Sequence, residues 1–120
     1  MIELWIIVSL IACHFIGDFI LQTDTMAVNK STSNFWLTKH VFTYIIPFLI
    51  FYALIIPNPN MFLLVIVMNL LLHWITDYTT SRIASYFHKQ EKRGLFFKTI
   101  GFDQLIHYIC IFSIHVLLLT

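Results

Sequence analysis

Apolar residues fill four long stretches of this 120-residue chain, and polar residues gather between them. A helix that crosses a bilayer needs about 20 mostly apolar residues. The first stretch covers about residues 4–21 and gives way to a polar segment that runs from Gln22, Thr23 and Asp24 to Ser33 and Asn34. Ser33 or Asn34 can cap the next helix, with Phe35 and Trp36 at its interface. The second stretch, about residues 35–56, contains Pro47, which a membrane helix accommodates as a kink. Pro57-Asn58-Pro59-Asn60 is a tight, uncharged turn. The third stretch keeps a helical pattern over about residues 61–86, longer than a bilayer requires. Residues 88–93 (HKQEKR) form a short charged loop, and the fourth stretch covers about residues 99–119. The pattern predicts one all-α domain over residues 1–120, a four-helix transmembrane bundle.

Composition points the same way. The chain is 59% hydrophobic and only 11% charged, against about a quarter charged in an ordinary soluble domain. So short a chain cannot hide that much apolar surface in one aqueous core. The surplus is expected to face lipid. A net charge of +1 gives no reason to expect nucleic acid as a partner. Cys13 and Cys110 sit in apolar runs without CxxC spacing and read as small buried hydrophobes. The opening Met1-Ile2-Glu3 has an acid where a secretory signal would carry a base, so the first helix is expected to remain in the mature protein.

Charge also sets a direction. All seven basic residues (Lys30, Lys39, Arg82, Lys89, Lys92, Arg93 and Lys98) lie in or beside the first and third connections. Basic residues favour the cytoplasmic side. Both termini are therefore expected on the extracytoplasmic side of the inner membrane.

Ionisable residues inside membrane spans are costly and mark function by default. Here they form stripes. His14 and Asp18 stand four apart on the first helix, with Gln22 a turn beyond; His73 and Asp77 repeat the spacing on the third, with Asn69 a turn before. Asp103 and His107 carry the reverse order on the fourth, which runs in the opposite direction. Residues four apart share one helix face. At a rise of about 1.5 Å per residue, the three histidines fall roughly 10 Å inside the cytoplasmic edge and the three aspartates roughly 5 Å inside it. His40, near the start of the second helix, lies close to the aspartate level.

Three carboxylates crowded in a low dielectric need a compensating cation. Imidazole and carboxylate are good ligands for zinc, iron or manganese, and helical bundles build such sites from facing helices. The expected ligands are His14, Asp18, His40, His73, Asp77, Asp103 and His107, holding one or two divalent ions, zinc first and manganese or iron as alternatives. An open position would activate water near neutral pH, with Asp18, Asp77 or Asp103 in a catalytic role. Gln22, Asn69 and Gln104 are expected to hydrogen-bond the ligands from outside. Lys30, Lys39, Arg82 and Lys98 serve orientation and lipid headgroups, with an anionic substrate as their further candidate partner. His115 reads as a buried, hydrogen-bonded residue, while His88 and Asp24 read as loop or helix-end residues. Any one His–Asp pair alone would fit an interhelical hydrogen bond as well as a metal; the convergence of three favours the metal.

The segment His14-Phe-Ile-Gly-Asp-Phe-Ile-Leu-Gln22, with Thr23-Asp24-Thr25-Met26-Ala27 and Asn29-Lys30 after it, resembles the opening of a family of small bacterial membrane proteins known as domain of unknown function 3307. His40, His73-Trp-Ile-Thr-Asp77-Tyr78 and Asp103-Gln104-Leu-Ile-His107 resemble that family's later motifs, in the same order. The resemblance spans essentially the whole chain and implies no activity. A looser similarity, of style only, is to membrane-bound metal-dependent hydrolases.

The expected function is a metal-dependent hydrolase acting on a phosphoester in a lipid or lipid-linked anionic substrate. One rival is a divalent-cation or proton transporter or channel, against which stands the lack of polar residues in the outer half of the bundle. Another is a non-catalytic module that metal staples together. Self-association is compatible with so small a bundle.

Overall fold

The computed structural model describes residues 1–120 and is helical throughout, with no strand. Helix α1 (Leu4–Phe15) continues directly into a π-helical segment, Ile16–Ile20. After it come the short α2 (Asp24–Asn29), then α3 (Asn34–Tyr44), α4 (Ile46–Ile55), α5 (Pro59–Lys89) and α6 (Arg93–Leu119). Side-chain caps begin three of them. Thr23 Oγ1 accepts from the Met26 N–H, Ser33 Oγ from Trp36, and Asn58 Oδ1 from Asn60 and Met61. Each satisfies a donor the first turn leaves unpaired. Pro47 has no N–H to continue the helical ladder, and the helix breaks at Ile45, between α3 and α4.

Three helical stretches are long and apolar enough to cross a membrane: Asn34–Ile55, Pro59–Lys89 and Arg93–Leu119. The apolar stretch Leu4–Ile20 is shorter. Two boundaries differ from the expectation. α5 reaches Lys89, and α6 starts at Arg93 rather than at 99, so the charged loop shrinks to residues 90–92. Lys, Arg and Glu are good helix formers; charge density alone does not end a helix. What ends it is the turn itself, where Glu91 takes a left-handed φ of 57°.

α5 and α6 form an antiparallel pair packed along most of their length, with α3 against α5 and α1 against both α4 and α6. The interior divides into two zones. Leu10, Phe48, Tyr52, Val65, Ile111 and Ile114 belong to a continuous apolar core. Beside it, buried polar residues collect: ten of the 26 buried residues are polar or charged. The outside is the reverse, with Leu54 and Leu117 about four-fifths exposed and Phe35, Ile50, Phe42 and Phe102 more than half exposed. So many large apolar side chains on the outside, with a polar cluster buried beside the core, depart from the arrangement of a domain built for water.

The π segment is where the first helix meets the second stretch. The Leu21 N–H bonds the Ile16 carbonyl, five residues back, at 2.8 Å. Single π turns of this kind cluster at functional positions. Gly17 lies against Tyr44 so closely that a β-carbon there would stand 2.4 Å from the Tyr44 carbonyl oxygen. Only a residue without a side chain permits that approach, and the approach carries Asp18, 4% exposed, into the interior.

Candidate metal centre

Four helical stretches each contribute to one buried cluster. The first helix supplies His14 and Asp18, α3 supplies His40, α5 supplies His73 and Asp77, and α6 supplies Asp103 and His107. The histidine rings pack together: His73 and His107 are stacked at 4.3 Å between centroids, His40 and His73 lie 5.3 Å apart, and His14 and His107 5.2 Å. Tyr44 closes the wall on the core side, stacked on His73 at 3.6 Å.

Several nitrogens and oxygens converge on one another at hydrogen-bonding or slightly longer range. His40 Nε2 lies 3.0 Å from Asp18 Oδ1, 3.2 Å from Asp77 Oδ2 and 3.2 Å from His73 Nε2. His73 Nε2 is in turn 3.6 Å from each of those carboxylate oxygens. An imidazole Nε2 carries at most one proton and can donate it well to one partner. A tetrahedral ion with ligands at about 2.1 Å would separate those ligands from one another by about 3.4 Å. Five of the distances among Asp18, His40, His73 and Asp77 fall between 3.0 and 3.6 Å.

A second group adjoins the first. Asp18, Asp103 and His107 bring one ligand atom each to within 4.8 Å of one another, as do Asp18, His40, His73 and Asp77. Asp18 belongs to both. Asp77 also faces both ways, with Oδ2 toward His40 and His73 and Oδ1 2.9 Å from His107 Nε2. His107 Nε2 is 3.2 Å from Asp103 Oδ1, which also accepts from the Thr80 hydroxyl. Two groups that share Asp18 could hold one ion each; in two-ion sites the ions stand about 3.5–4 Å apart.

A family model matches residues 6–120, which takes in every one of these side chains. The chain belongs to the DUF3307 family, described as protein of unknown function. No curated protein and no solved structure matches it.

The remaining expected residues of this DUF3307 chain divide clearly. His14 stands at the edge, its Nε2 2.7 Å from Gln104 Oε1 and 3.7 Å from Asp18 Oδ2, and it lies in neither compact group. Gln104 also donates to Asp103 Oδ2, so it supports the cluster from outside. Gln22 faces the cavity described below. Asn69 turns away and donates to the Val65 carbonyl of its own helix. Lys39 sits over the Trp36 ring, and Arg82 bonds Asn34 and lies over Tyr78. Lys98 borders a separate groove.

Lys30 alone among the basic residues reaches the carboxylates, with Nζ 2.9 Å from Asp77 Oδ2. Burial by itself would lower the pKa of this ammonium. The carboxylates of Asp77, Asp18 and Asp103 outweigh burial and hold it above the usual lysine value. The sequence placed Lys30 with the headgroup residues and gave no sign of this direct contact. Two further contributors were missed. Thr80 sits three residues after Asp77, on the same helical face, a spacing that could have suggested it; Gly17, a glycine beside an aspartate in an apolar stretch, was the visible trace of the close helix contact.

Above the cluster lies a cavity of about 520 Å³ bordered by Asp18, Asp77, Asp103, Lys30, Gln22 and Ser81 among others. α2 and the turn after it form part of its rim through Ala27, Val28, Lys30 and Ser31. Pockets for small molecules run from roughly 300 to 1,000 Å³. The cavity thus borders the three carboxylates, of which Asp103 is the most exposed, while the apolar core adjoins the cluster on the other side.

Proposed function

We propose that this protein is a four-span membrane hydrolase, with both termini outside and the cluster near the cytoplasmic face, that uses one or two divalent metal ions to cleave a phosphoester in a lipid or lipid-linked substrate. The ligands are Asp18, His40, His73, Asp77, Asp103 and His107, with His14 and Gln104 holding the rim. The observation that carries this reading is the set of distances around His40 Nε2, where two carboxylate oxygens and a second imidazole nitrogen converge as ligands around a cation would. Charge supports it as well. Three carboxylates face one ammonium, Lys30, and a set of imidazoles; where those imidazoles are neutral ligands, a divalent ion would offset the remaining charge.

Four spans follow if Leu4–Ile20 crosses along with the three longer stretches; its length is at the short end of the range for a spanning helix, about 17–25 residues. The apolar surface and the placement of all basic residues around two connections support the same arrangement.

The bound metal would supply Lewis acidity and an activated water. The protein's own groups do the rest. Lys30 holds the anionic phosphoryl group at the cavity. With a single ion held by Asp18, His40, His73 and Asp77, Asp103 is left free of metal and, at 15% exposure more open than Asp18 or Asp77, accepts a proton from the attacking water. A bond forms between the water oxygen and phosphorus, the phosphorus–ester oxygen bond breaks, and the leaving alkoxide takes a proton to depart as an alcohol.

Two features favour hydrolysis over the rivals. The cavity gives a substrate access to the carboxylates, which a metal that merely ties helices together would not need. Conduction finds no support in the packing, because Tyr44, Phe48, Tyr52, Val65 and Ile111 fill the bundle beyond the histidines.

Elemental analysis of protein purified without chelators, paired with phosphate release from short-chain phosphate monoesters, tests the reading. Metal at one to two ions per chain with release that a chelator abolishes is the expected result. Metal-bearing protein with no release, but with cation flux in proteoliposomes, would replace the hydrolase with the transporter.

A further inference from the structure

The α5–α6 pair separates two cavities. On one side is the polar cavity over the carboxylates; on the other is a groove of about 440 Å³ between the same two helices. Thr80 and Thr99 border both. Apart from these threonines, the groove is walled mainly by Ile75, Ile83, Leu95, Phe102 and Ile106. Ile75, Ile83 and Phe102 are each 43–59% exposed, so the groove opens outward along its length, on the surface the hydrolase reading assigns to lipid. Lys98 stands at its edge and pairs with no carboxylate, while Lys30 stands inside the polar cavity.

We infer that the groove holds the hydrocarbon chain of a membrane-resident, single-chain phosphate lipid whose headgroup reaches the carboxylate cavity across the Thr80–Thr99 seam. The inference rests on the hydrolase reading and extends it to the substrate. Three observations select this occupant. The groove is apolar and open sideways, as a chain entering from the bilayer requires. It meets the polar cavity at Thr80 and Thr99; the Thr80 hydroxyl bonds Asp103 Oδ1, so the groove comes within one side chain of a cluster carboxylate, and a phosphate oxygen arriving there would exchange for that contact. A lysine flanks the seam on each side, matching an anion that moves from the interface inward. A groove of about 440 Å³ suits a single chain, which is why a single-chain phosphate is the occupant chosen. Thr79, which borders the groove but not the polar cavity, provides a blocking position. Its hydroxyl bonds only the Ile75 carbonyl of its own helix, so Thr79→Trp fills the groove without touching the cluster.

The test uses the full protein in lipid nanodiscs and a long-chain alkyl phosphate with a photoreactive group mid-chain, compared with the matching alkyl alcohol. Cross-linked peptides are mapped by mass spectrometry. Labels concentrated on residues 75–83 and 95–106, at least fivefold stronger with the phosphate than with the alcohol and lost in Thr79→Trp but not in Leu71→Trp, are expected; Leu71 lies on the exposed face of the same helix. Labels spread evenly over the exposed helix faces, or equal for phosphate and alcohol, would overturn the inference. Cross-linking needs no turnover. A hydrolase that releases phosphate from short-chain esters yet labels evenly loses the groove and keeps the activity, whereas groove labelling without any release does the reverse.

Discussion

Gly17 and Tyr44 are in backbone contact: a β-carbon at Gly17 would come within 2.4 Å of the Tyr44 carbonyl oxygen and 2.9 Å of its ring. The same two residues flank the cluster, since Asp18 follows Gly17 and the Tyr44 ring stacks on His73. The backbone oxygen cannot rotate away, so Gly17→Ala must push the two helices apart. A loss of about 1–3 kcal/mol is expected, the usual cost of overpacking, measured as a lower midpoint of unfolding in detergent. Gly101→Ala is the control. Nothing lies within 4 Å of the added carbon there, and alanine in a helix interior is expected to stabilise by about 0.5–1 kcal/mol. Equal effects at the two glycines would remove the contact from the account.

Lys30 contacts Asp77 Oδ2 at 2.9 Å, where, on the proposed reading, it would compete with a bound cation. Lys30→Met is therefore expected to destabilise the metal-free protein, by about 3 kcal/mol or less because the lysine is partly exposed. The same change is expected to tighten divalent-metal binding at least tenfold, about 1.4 kcal/mol. Titration with a competing chelator reads the second effect. Looser binding in the variant would mean that Lys30 supports the ion rather than opposing it.

The Lys30 contact also has a pH signature. Its ammonium is held above the usual lysine value, so the stability it contributes is fully present below that ordinary value and is lost only as pH rises through the raised one. The difference in stability between the metal-free wild type and Lys30→Met is expected to be flat between pH 6 and pH 8. A steep change across that interval, read from paired unfolding curves, would assign the interaction to another group.

His14 and His73 are both buried histidines four residues from an aspartate, yet their surroundings differ. His14 Nε2 is engaged by Gln104, whereas His73 Nε2 faces His40, Asp18 and Asp77. His14→Leu is expected to weaken metal binding less than tenfold, and His73→Leu more than a hundredfold. Comparable losses in the two would enlarge the ligand set to include His14.

Much of this arrangement was visible in the sequence. The apolar stretches marked the helices, because a chain of 11% charged residues leaves few places for loops. The four-residue spacing of His and Asp, reversed on α6, identified the side chains that meet. What the sequence concealed depends on three-dimensional proximity. The contact of Lys30 with Asp77 joins residues 47 apart, and no periodicity reports it. The π turn at Ile16–Ile20 shifts the helical register by one residue, which a fixed spacing of four cannot register. The early start of α6 was hidden because charged residues suit a helix as well as a loop. Among the basic residues, sequence position alone could not separate Lys30 from Lys39 or Arg82, whose cations instead lie over aromatic rings.

Metal stoichiometry in the wild type and Asp18→Asn tests the central claim most directly. Asp18 belongs to both ligand groups, and Asp103 to one. Elemental analysis of folded, chelator-free protein should find one to two divalent transition-metal ions per chain in the wild type. Asp18→Asn should lose most of that metal and Asp103→Asn no more than one ion. Wild-type protein that is folded, monodisperse and free of metal, and that takes up none on titration with zinc, manganese or iron, would contradict the account.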